Sequence, residues 1–416
     1  MAWIVVLSVP AWGHVNAVLP IVAELVRRGH QVVAFNEAGF EPIFRSTGAD
    51  FVAYPADSIR HDDFARSLAD GDLVRWMYLI FRVTPGLIDF VVGALRDERP
   101  DVVVFDGVAL WAEMSANKLH LPSVSISTTF VFEVFRDLDS RSEWFGYMRS
   151  VATHLSGFAA HWMRMMMRTL VGMPWRLPLV PRQGTHTVVL TSRDVHPPSP
   201  FFDNPRFSFV GCSVDSATRG ETFDFSRLDG GPLLYVSLGT LHTGRSGFFG
   251  HCIEAFADFP GQVLMSVGRG SDRSVYAGAP ANFIIEQAVP QLDVLQRTSV
   301  FLTHAGLNSM HEALWFGVPM VALPQTFEQL RNAQSMERMG AGVALSDEVY
   351  DRPVRPAAMR AAVDSVLAER SRYAAAAASL GRTLRDAGGF RAAADDIERV
   401  AGVPATVKRR PPAVVA

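Results

Sequence analysis

His304-Ala305-Gly306-Leu307-Asn308-Ser309-Met310-His311-Glu312 follows a short apolar run, residues 299–303, with the Val, Phe and Leu content of a buried parallel strand. Ala313-Leu314-Trp315-Phe316 carries on as a helix, which Gly317 and Pro319 stop. The unit is strand, tight glycine turn, helix N-terminus. Such a turn aims backbone N–H groups and the positive end of the helix dipole at one point, which suits a phosphate. Asn308 and Ser309 add small side-chain donors, and His304 adds one beside the turn. The stretch reads as a seat for a diphosphate. Ser309 and Glu312 also have the spacing of a capping box, with serine as the cap and glutamate reaching back. For Glu312 the residues alone leave both roles open.

Outward from this unit, apolar runs alternate with helical stretches. In the second half the predicted strands are 233–237, 263–267, 283–285, 300–303, 320–323 and 343–345. In the first half they are 3–9, 31–35, 50–53, 101–105, 121–127, 188–191 and 207–210, with helices through 19–28 and 110–119. Alternating β and α implies α/β architecture, with parallel sheets covered on both faces. A single core rarely grows past roughly 250–300 residues, so 416 residues imply two domains. Residues 214–232 hold Gly220, Gly230, Gly231 and several charges without periodicity, as a linker does. The expected division is a first doubly wound domain at 1–215, a linker at 216–232 and a second such domain at 233–385. A terminal helix at 386–402 follows the Gly388-Gly389 break, and residues 403–416 form a frayed tail with Lys408-Arg409-Arg410.

Composition removes several function classes. Net charge is −3, without the basic balance of a nucleic-acid binder. Cys212 and Cys252 are the two cysteines, too few for a disulfide framework, and no metal-ligand spacing accompanies them. A reducing cytoplasm is the expected compartment. The apolar start lacks a basic region and a cleavage site, so it reads as a strand and not a signal peptide. No run of 18 uncharged apolar residues occurs, so stable membrane insertion is not expected. The stretch 158–173, interrupted by Arg164 and Arg168, reads as an amphipathic helix, as core, or as a surface membrane contact. Monomer and homodimer both remain open.

Pro10-Ala11-Trp12-Gly13-His14-Val15-Asn16 follows the first strand, and no G-x-G-x-x-G accompanies it, against a dinucleotide oxidoreductase. Ligands of open parallel sheets bind beyond the carboxyl ends of strands. His14 lies there, on the loop, either solvated or as a base. Asp106 ends the strand 101–105 on the same edge, either as a helix cap or as a partner that raises the basicity of the imidazole and fixes its tautomer. Such a histidine can take a proton from a hydroxyl. Gly239-Thr240 ends the first strand of the second half and faces the same way, as a turn or as a ligand contact.

The motif continues on both sides. Upstream is Val289-Pro290-Gln291-Leu292-Asp293-Val294-Leu295. Downstream are Gly317-Val318-Pro319 and Pro324-Gln325-Thr326-Phe327-Glu328-Gln329-Leu330-Arg331-Asn332-Ala333. In order and spacing, residues 288–333 resemble the donor signature of nucleotide-sugar glycosyltransferases of the GT-B fold, closest to the bacterial macrolide and natural-product enzymes. The resemblance implies two Rossmann-like domains facing across a cleft, with the last helix crossing back onto the first. It implies an inverting, metal-independent hexosyltransferase without resident cofactor, taking a nucleoside-diphosphate sugar, UDP-glucose favoured, and a hydrophobic acceptor such as a macrolide, polyketide or flavonoid. It matches His14 to the base and Asp106 to its orienting acid. It gives Thr240, His304, Gly306, Asn308 and Ser309 to the diphosphate and Gln291 to the base or ribose. Glu312 falls to the ribose diol, and Glu328 and Gln329 to sugar hydroxyls. An acid-plus-amide pair suits a sugar that keeps its hydroxyls. Ala288 departs from the family's stacking tryptophan, which leaves uridine and thymidine both open. Trp76, Phe81, Trp111, Phe130, Phe132 and Trp144 belong to aromatic stretches of the first half that suit an apolar acceptor pocket or ordinary core. The remaining alternatives are deoxysugar transfer from a TDP donor, a sugar-nucleotide epimerase, and a non-catalytic sugar-nucleotide-binding protein.

Overall fold

The computed structural model describes residues 1–63, 73–130, 160, 163, 184–198, 202–239, 246–269, 271–345 and 354–403. The stretch 158–173 (apart from 160 and 163), Thr240, Phe132, Trp144 and the tail beyond 403 lie outside the described residues. Two sheets organise the rest, and every pairing in them is parallel. The first contains β1 (Trp3–Leu7), β2 (Gln31–Asn36), β3 (Asp50–Ala53), β4 (Val102–Asp106), β5 (Ser123–Ser127), β6 (His186–Val189) and β7 (Phe207–Phe209), in the order β3-β2-β1-β4-β5-β6-β7. The second contains β8 (Leu233–Ser237), β9 (Gln262–Ser266), β10 (Phe283–Glu286), β11 (Val300–Thr303), β12 (Met320–Ala322) and β13 (Gly342–Ala344), in the order β10-β9-β8-β11-β12-β13.

The central strands β1, β4, β8 and β11 are almost wholly apolar because both sheet faces are covered, whereas β5 and β6 bury serine, threonine and histidine as well. Alternate side chains of a strand point to opposite faces. Val5 and Leu7 of β1 enter one core, and Ile4 and Val6 enter the core on the other face. In β8, Leu233 and Tyr235 likewise oppose Leu234 and Val236.

The helices are α1 (Trp12–Arg27), α2 (Glu41–Ser46), α3 (Leu73–Leu95), α4 (Leu110–Lys118), α5 (Ser246–Phe256), α6 (Gln291–Leu295), α7 (Leu307–Trp315), α8 (Phe327–Arg338), α9 (Pro356–Ala368), α10 (Arg370–Asp386) and α11 (Gly389–Val400). Among the described residues one segment, Trp76–Leu95, is long and apolar enough to cross a bilayer. It is 61% buried against the first sheet, whose core takes in Ile80, Leu87 and Val91. Arg82 and Asp89 interrupt its apolar run.

Both sheets reverse strand order once, between β1 and β4 and between β8 and β11. Ligand crevices form at such reversals, because the connecting helices leave the sheet on opposite faces and open a gap above the strand ends. α11 packs on the first sheet although it follows the second: Ala393, Ala394 and Ile397 are buried in the core that holds Ile4 and Val22. Arg28, at the end of α1, bonds Asp395 at 2.6 Å and Glu398 at 2.7 Å. Further ties join the sheets. Thr191 Oγ1 meets His311 Nε2 at 3.0 Å, and Ser192 Oγ meets Thr383 Oγ1 at 2.8 Å.

Candidate active site

The two reversals face one cavity of about 450 Å³. From the first sheet come the residues after β1. The chain enters α1 at once, with Ala11 as N-cap and no side-chain cap bond. His14 therefore sits in the first helical turn and not on a loop. Its Nδ1 lies 2.6 Å from Asp106 Oδ2, at the carboxyl end of the neighbouring strand β4. Asp106 is 1% exposed, and its Oδ1 accepts from the Val108 amide at 3.0 Å. The carboxylate thus serves both roles left open by the sequence, turn partner and histidine partner. Thr128 Oγ1, just past β5, also reaches His14 Nδ1 at 2.9 Å. Burial works against the charged imidazolium, but the Asp106 charge and hydrogen bond, with Glu328 further off, hold the His14 pKa above its ordinary value. With Nδ1 turned to Asp106, Nε2 is the nitrogen able to accept a proton. The pair is a buried acid orienting a raised-pKa base.

From the second sheet comes the turn after β11. Ala305, not glycine, takes the left-handed conformation, with φ 59. A non-glycine residue there stores strain and persists only where its surroundings over-determine it. Here Asn332 of α8 donates to the Ala305 carbonyl at 3.0 Å. Gly306 has ordinary dihedrals, φ −59 and ψ 140. Its glycine is needed for space, because a Cβ would lie 2.4 Å from His304 Nε2. Gly239, at φ +73, is close on the same ring: its Cβ would lie 2.6 Å from His304 Cε1. α7 starts at Leu307 with Gly306 as N-cap and no side-chain cap. The capping-box alternative fails, since Ser309 and Glu312 both lie inside the helix. The first-turn amides lack intrahelical acceptors and end at the cavity. Asn308 Nδ2 donates to the Gly13 carbonyl, tying the two turns together. Two helix N-termini, neither capped by a side chain, converge on one space.

Deeper along α7 lies a polar chain. Tyr235 donates to Gln291 Oε1 at 3.1 Å, and Gln291 Nε2 donates to Glu312 Oε2 at 2.6 Å. Arg219 Nη2 donates to Glu312 Oε1 at 2.6 Å. Toward His14 stands Glu328, whose burial pushes its carboxyl above the usual range against the opposing His14 charge and Asn332 hydrogen bond. Gln329 Oε1 accepts from the Gln325 amide at 2.8 Å, while Thr326 accepts from the Gln329 amide as cap of α8.

The structure brings His14, Gln291, His304, Gly306, Asn308, Ser309, Glu312, Glu328 and Gln329 to the wall of this one cavity, with Asp106 behind His14. The aromatic candidates lie elsewhere. Trp76, Phe81, Trp111 and Phe130 do not line it and are between 0% and 8% exposed. Trp111 donates to Tyr54 at 3.3 Å inside the first core, and Phe130 packs edge-on to His196 and His311. Their burial reflects core packing. Sequence reasoning missed Thr128, Arg219, Glu221, Arg269 and Trp12, all on the cavity wall. Trp12 was visible beside His14, and the Arg269 guanidinium lies 5.2 Å from its ring. Arg219 stands in the aperiodic stretch assigned to a plain linker. Among the described residues no group of three or more His, Cys, Asp or Glu is placed to hold a metal.

Residues 193–386 match the family model described as UDP-glucoronosyl and UDP-glucosyl transferase. The chain is 28% identical over 411 residues to the uncharacterized UDP-glucosyltransferase YojK of Bacillus subtilis, covering 95% of this chain and 97% of that one. It is 28% identical to the oleandomycin glycosyltransferase of Streptomyces antibioticus, over 99% and 93% of the two chains. The crystal structure of the glycotransferase of kitacinnamycin superposes with a TM-score of 0.79 at 30% identity, covering 96% of this chain and 98% of that one. Two doubly wound domains with a cavity between their strand-order reversals agree with these matches, and the chain belongs to the UDP-glycosyltransferase superfamily, as a GT-B glycosyltransferase that uses a nucleotide-sugar donor.

Proposed function

We propose that the protein transfers a hexose, glucose in the first instance, from a UDP-sugar to a hydroxyl of a hydrophobic natural product, with inversion at the anomeric carbon. One observation carries this reading: the His14–Asp106 pair, 2.6 Å apart, stands across a single cavity from the uncapped N-terminus of α7. His14 Nε2 takes the acceptor O–H proton as the oxygen attacks the anomeric carbon from the face opposite the diphosphate. The bond to the diphosphate oxygen breaks as the new C–O bond forms, which inverts the centre. Asp106 balances the imidazolium. The α7 amides, His304, Asn308 and Ser309 stabilise the departing diphosphate, where charge develops. Glu312 lies further along α7 and Gln291 bonds it from the start of α6, on the nucleoside side, and Glu328 with Gln329 on the sugar side. In this reading Thr240, which lies outside the described residues, adds a diphosphate contact. The acceptor class draws support from relatives whose names specify oleandomycin and zeaxanthin. Residues 1–215 would hold the acceptor and 233–385 the donor. Two buried free thiols suit a cytoplasmic enzyme.

One observation favours a second reading, deoxysugar transfer from a TDP donor. Gln329 Oε1 is committed to the start of α8, which weakens the acid-plus-amide argument for a fully hydroxylated sugar. A panel of UDP- and TDP-sugars with macrolide, polyketide and flavonoid acceptors, read by mass spectrometry, distinguishes the two. His14→Ala is expected to lower turnover about 10²–10⁴-fold while leaving nucleoside diphosphate affinity within twofold. Near-native transfer by that variant rejects the mechanism.

A further inference from the structure

Arg219 lies between the two sheets, in the stretch after the turn Ser216–Thr218. Its side chain is 15% exposed and lines the cavity beside Tyr235, Gln291 and Glu312. One guanidinium nitrogen, Nη2, is held by Glu312 Oε1 at 2.6 Å. Among the described residues its Nε–H is buried and has no hydrogen-bond partner. A buried donor of a charged group without an acceptor is costly, and native structures rarely retain one. A ligand oxygen satisfies it once the side chain turns this N–H, which is closed off from the cavity in the structure, toward the bound molecule.

Position selects which oxygen. Glu312 lies three residues beyond Ser309 on α7, about 4.5 Å further from the helix N-terminus at 1.5 Å per residue. Arg219 is therefore set back from the first-turn amides, sharing the Glu312 carboxylate with Gln291. Arginine also has the right form. Its planar fork lets one edge grip a carboxylate while a neighbouring N–H addresses a second group at fixed geometry.

We propose that Arg219 is a nucleoside-recognition residue, which donates its Nε–H to a ribose or base oxygen of the donor nucleotide while Nη2 holds Glu312 in place. The proposal rests on the nucleotide-sugar reading of this cavity. It makes the segment between the two sheets part of the donor site.

The test is calorimetric titration of the full chain with UMP, UDP, TMP, TDP and inorganic pyrophosphate. For Arg219→Met, affinity for the nucleotides is expected to fall about 10- to 100-fold, the loss of a hydrogen bond to a charged group. The factor should be the same for UMP and UDP, with pyrophosphate unchanged. Arg219→Lys keeps a cation beside Glu312 but has no donor at the Nε position, so it should remain weak. It also carries the test if the methionine variant fails to fold. The Glu312→Gln background separates direct contact from mere support. If Arg219→Met costs nothing further there, or if Lys restores native affinity, Arg219 only positions Glu312 and the proposal falls. A loss confined to UDP and pyrophosphate moves the contact to the diphosphate and likewise overturns it. If wild type binds none of these compounds, the nucleotide reading itself fails and takes this proposal with it.

Discussion

Replacing Gly306 by alanine tests whether the turn after β11, the proposed diphosphate seat, is built around the His304 ring. At φ −59 and ψ 140 the backbone suits any L residue, so the change brings no dihedral strain. The added Cβ would stand 2.4 Å from Nε2 and 3.0 Å from Cε1 of His304. An ordinary contact starts at 3.4 Å, so the ring must retreat by about 1 Å. Retreat is constrained because the Gly239 backbone also lies against the ring. Overpacking of this kind costs about 1–3 kcal/mol, and alanine is a poorer N-cap than glycine by a further fraction of that. The displaced imidazole should weaken nucleoside diphosphate binding about tenfold or more, at 1.4 kcal/mol per decade. Urea melts give the stability change, and titration with UDP gives the affinity change. In a His304→Ala background the obstructing ring is gone, and Gly306→Ala should cost less than about 1 kcal/mol, the N-cap remainder. An undiminished cost in that background refutes the steric account.

Other outcomes follow from the same geometry. Asp106→Asn removes the charge that raises the His14 pKa. Since the neutral imidazole is the active form, the acid limb of kcat should move to lower pH while the rate falls about 10²–10⁴-fold; a limb that stays in place means Asp106 does not set basicity. Ala288→Trp, on the half-buried cavity wall, should tighten UDP or TDP binding by up to about 1–3 kcal/mol of base stacking. Weaker binding of both in calorimetry means that another side chain already covers the base. Burial holds His311 down to about 3 and His196 down to about 4. Both folded values lie below the unfolded value, so the stability they permit is complete above pH ~6.5 and declines as pH falls below it. His311→Gln should reduce the stability loss between pH 7 and pH 5 by about 2 kcal/mol in urea titrations, and an unchanged loss contradicts a neutral, buried His311.

The legible parts of the fold were those with a short-range signature. Residues 300–303 read as a strand because a doubly covered strand tends to a near-continuous apolar run, and the turn after it read as an anion seat because strand, small residues and helix start are contiguous. The aromatic stretches were not legible. Trp76 and Phe81 read alike whether their helix faces a core or a ligand, and only the packing of α3 on the first sheet buries both. The capping-box spacing of Ser309 and Glu312 was equally ambiguous until α7 was seen to start two residues before Ser309. Thr128 gave no signal, because a hydroxyl after an apolar strand is common. It matters because β5 lies beside β4, which carries Asp106.

By itself, then, the sequence determined the α/β alternation, the two-part organisation and the strand–turn–helix unit after residue 300, all set by hydrophobic period and local backbone geometry. Tertiary structure alone decided which distant groups meet. The register of β1 against β4 puts Asp106 behind His14 across 92 residues of chain. Asn308 reaches Gly13 across 295 residues, and Arg219 reaches Glu312 across 93. Such contacts depend on strand order and on how two sheets face each other, which no local window of residues encodes.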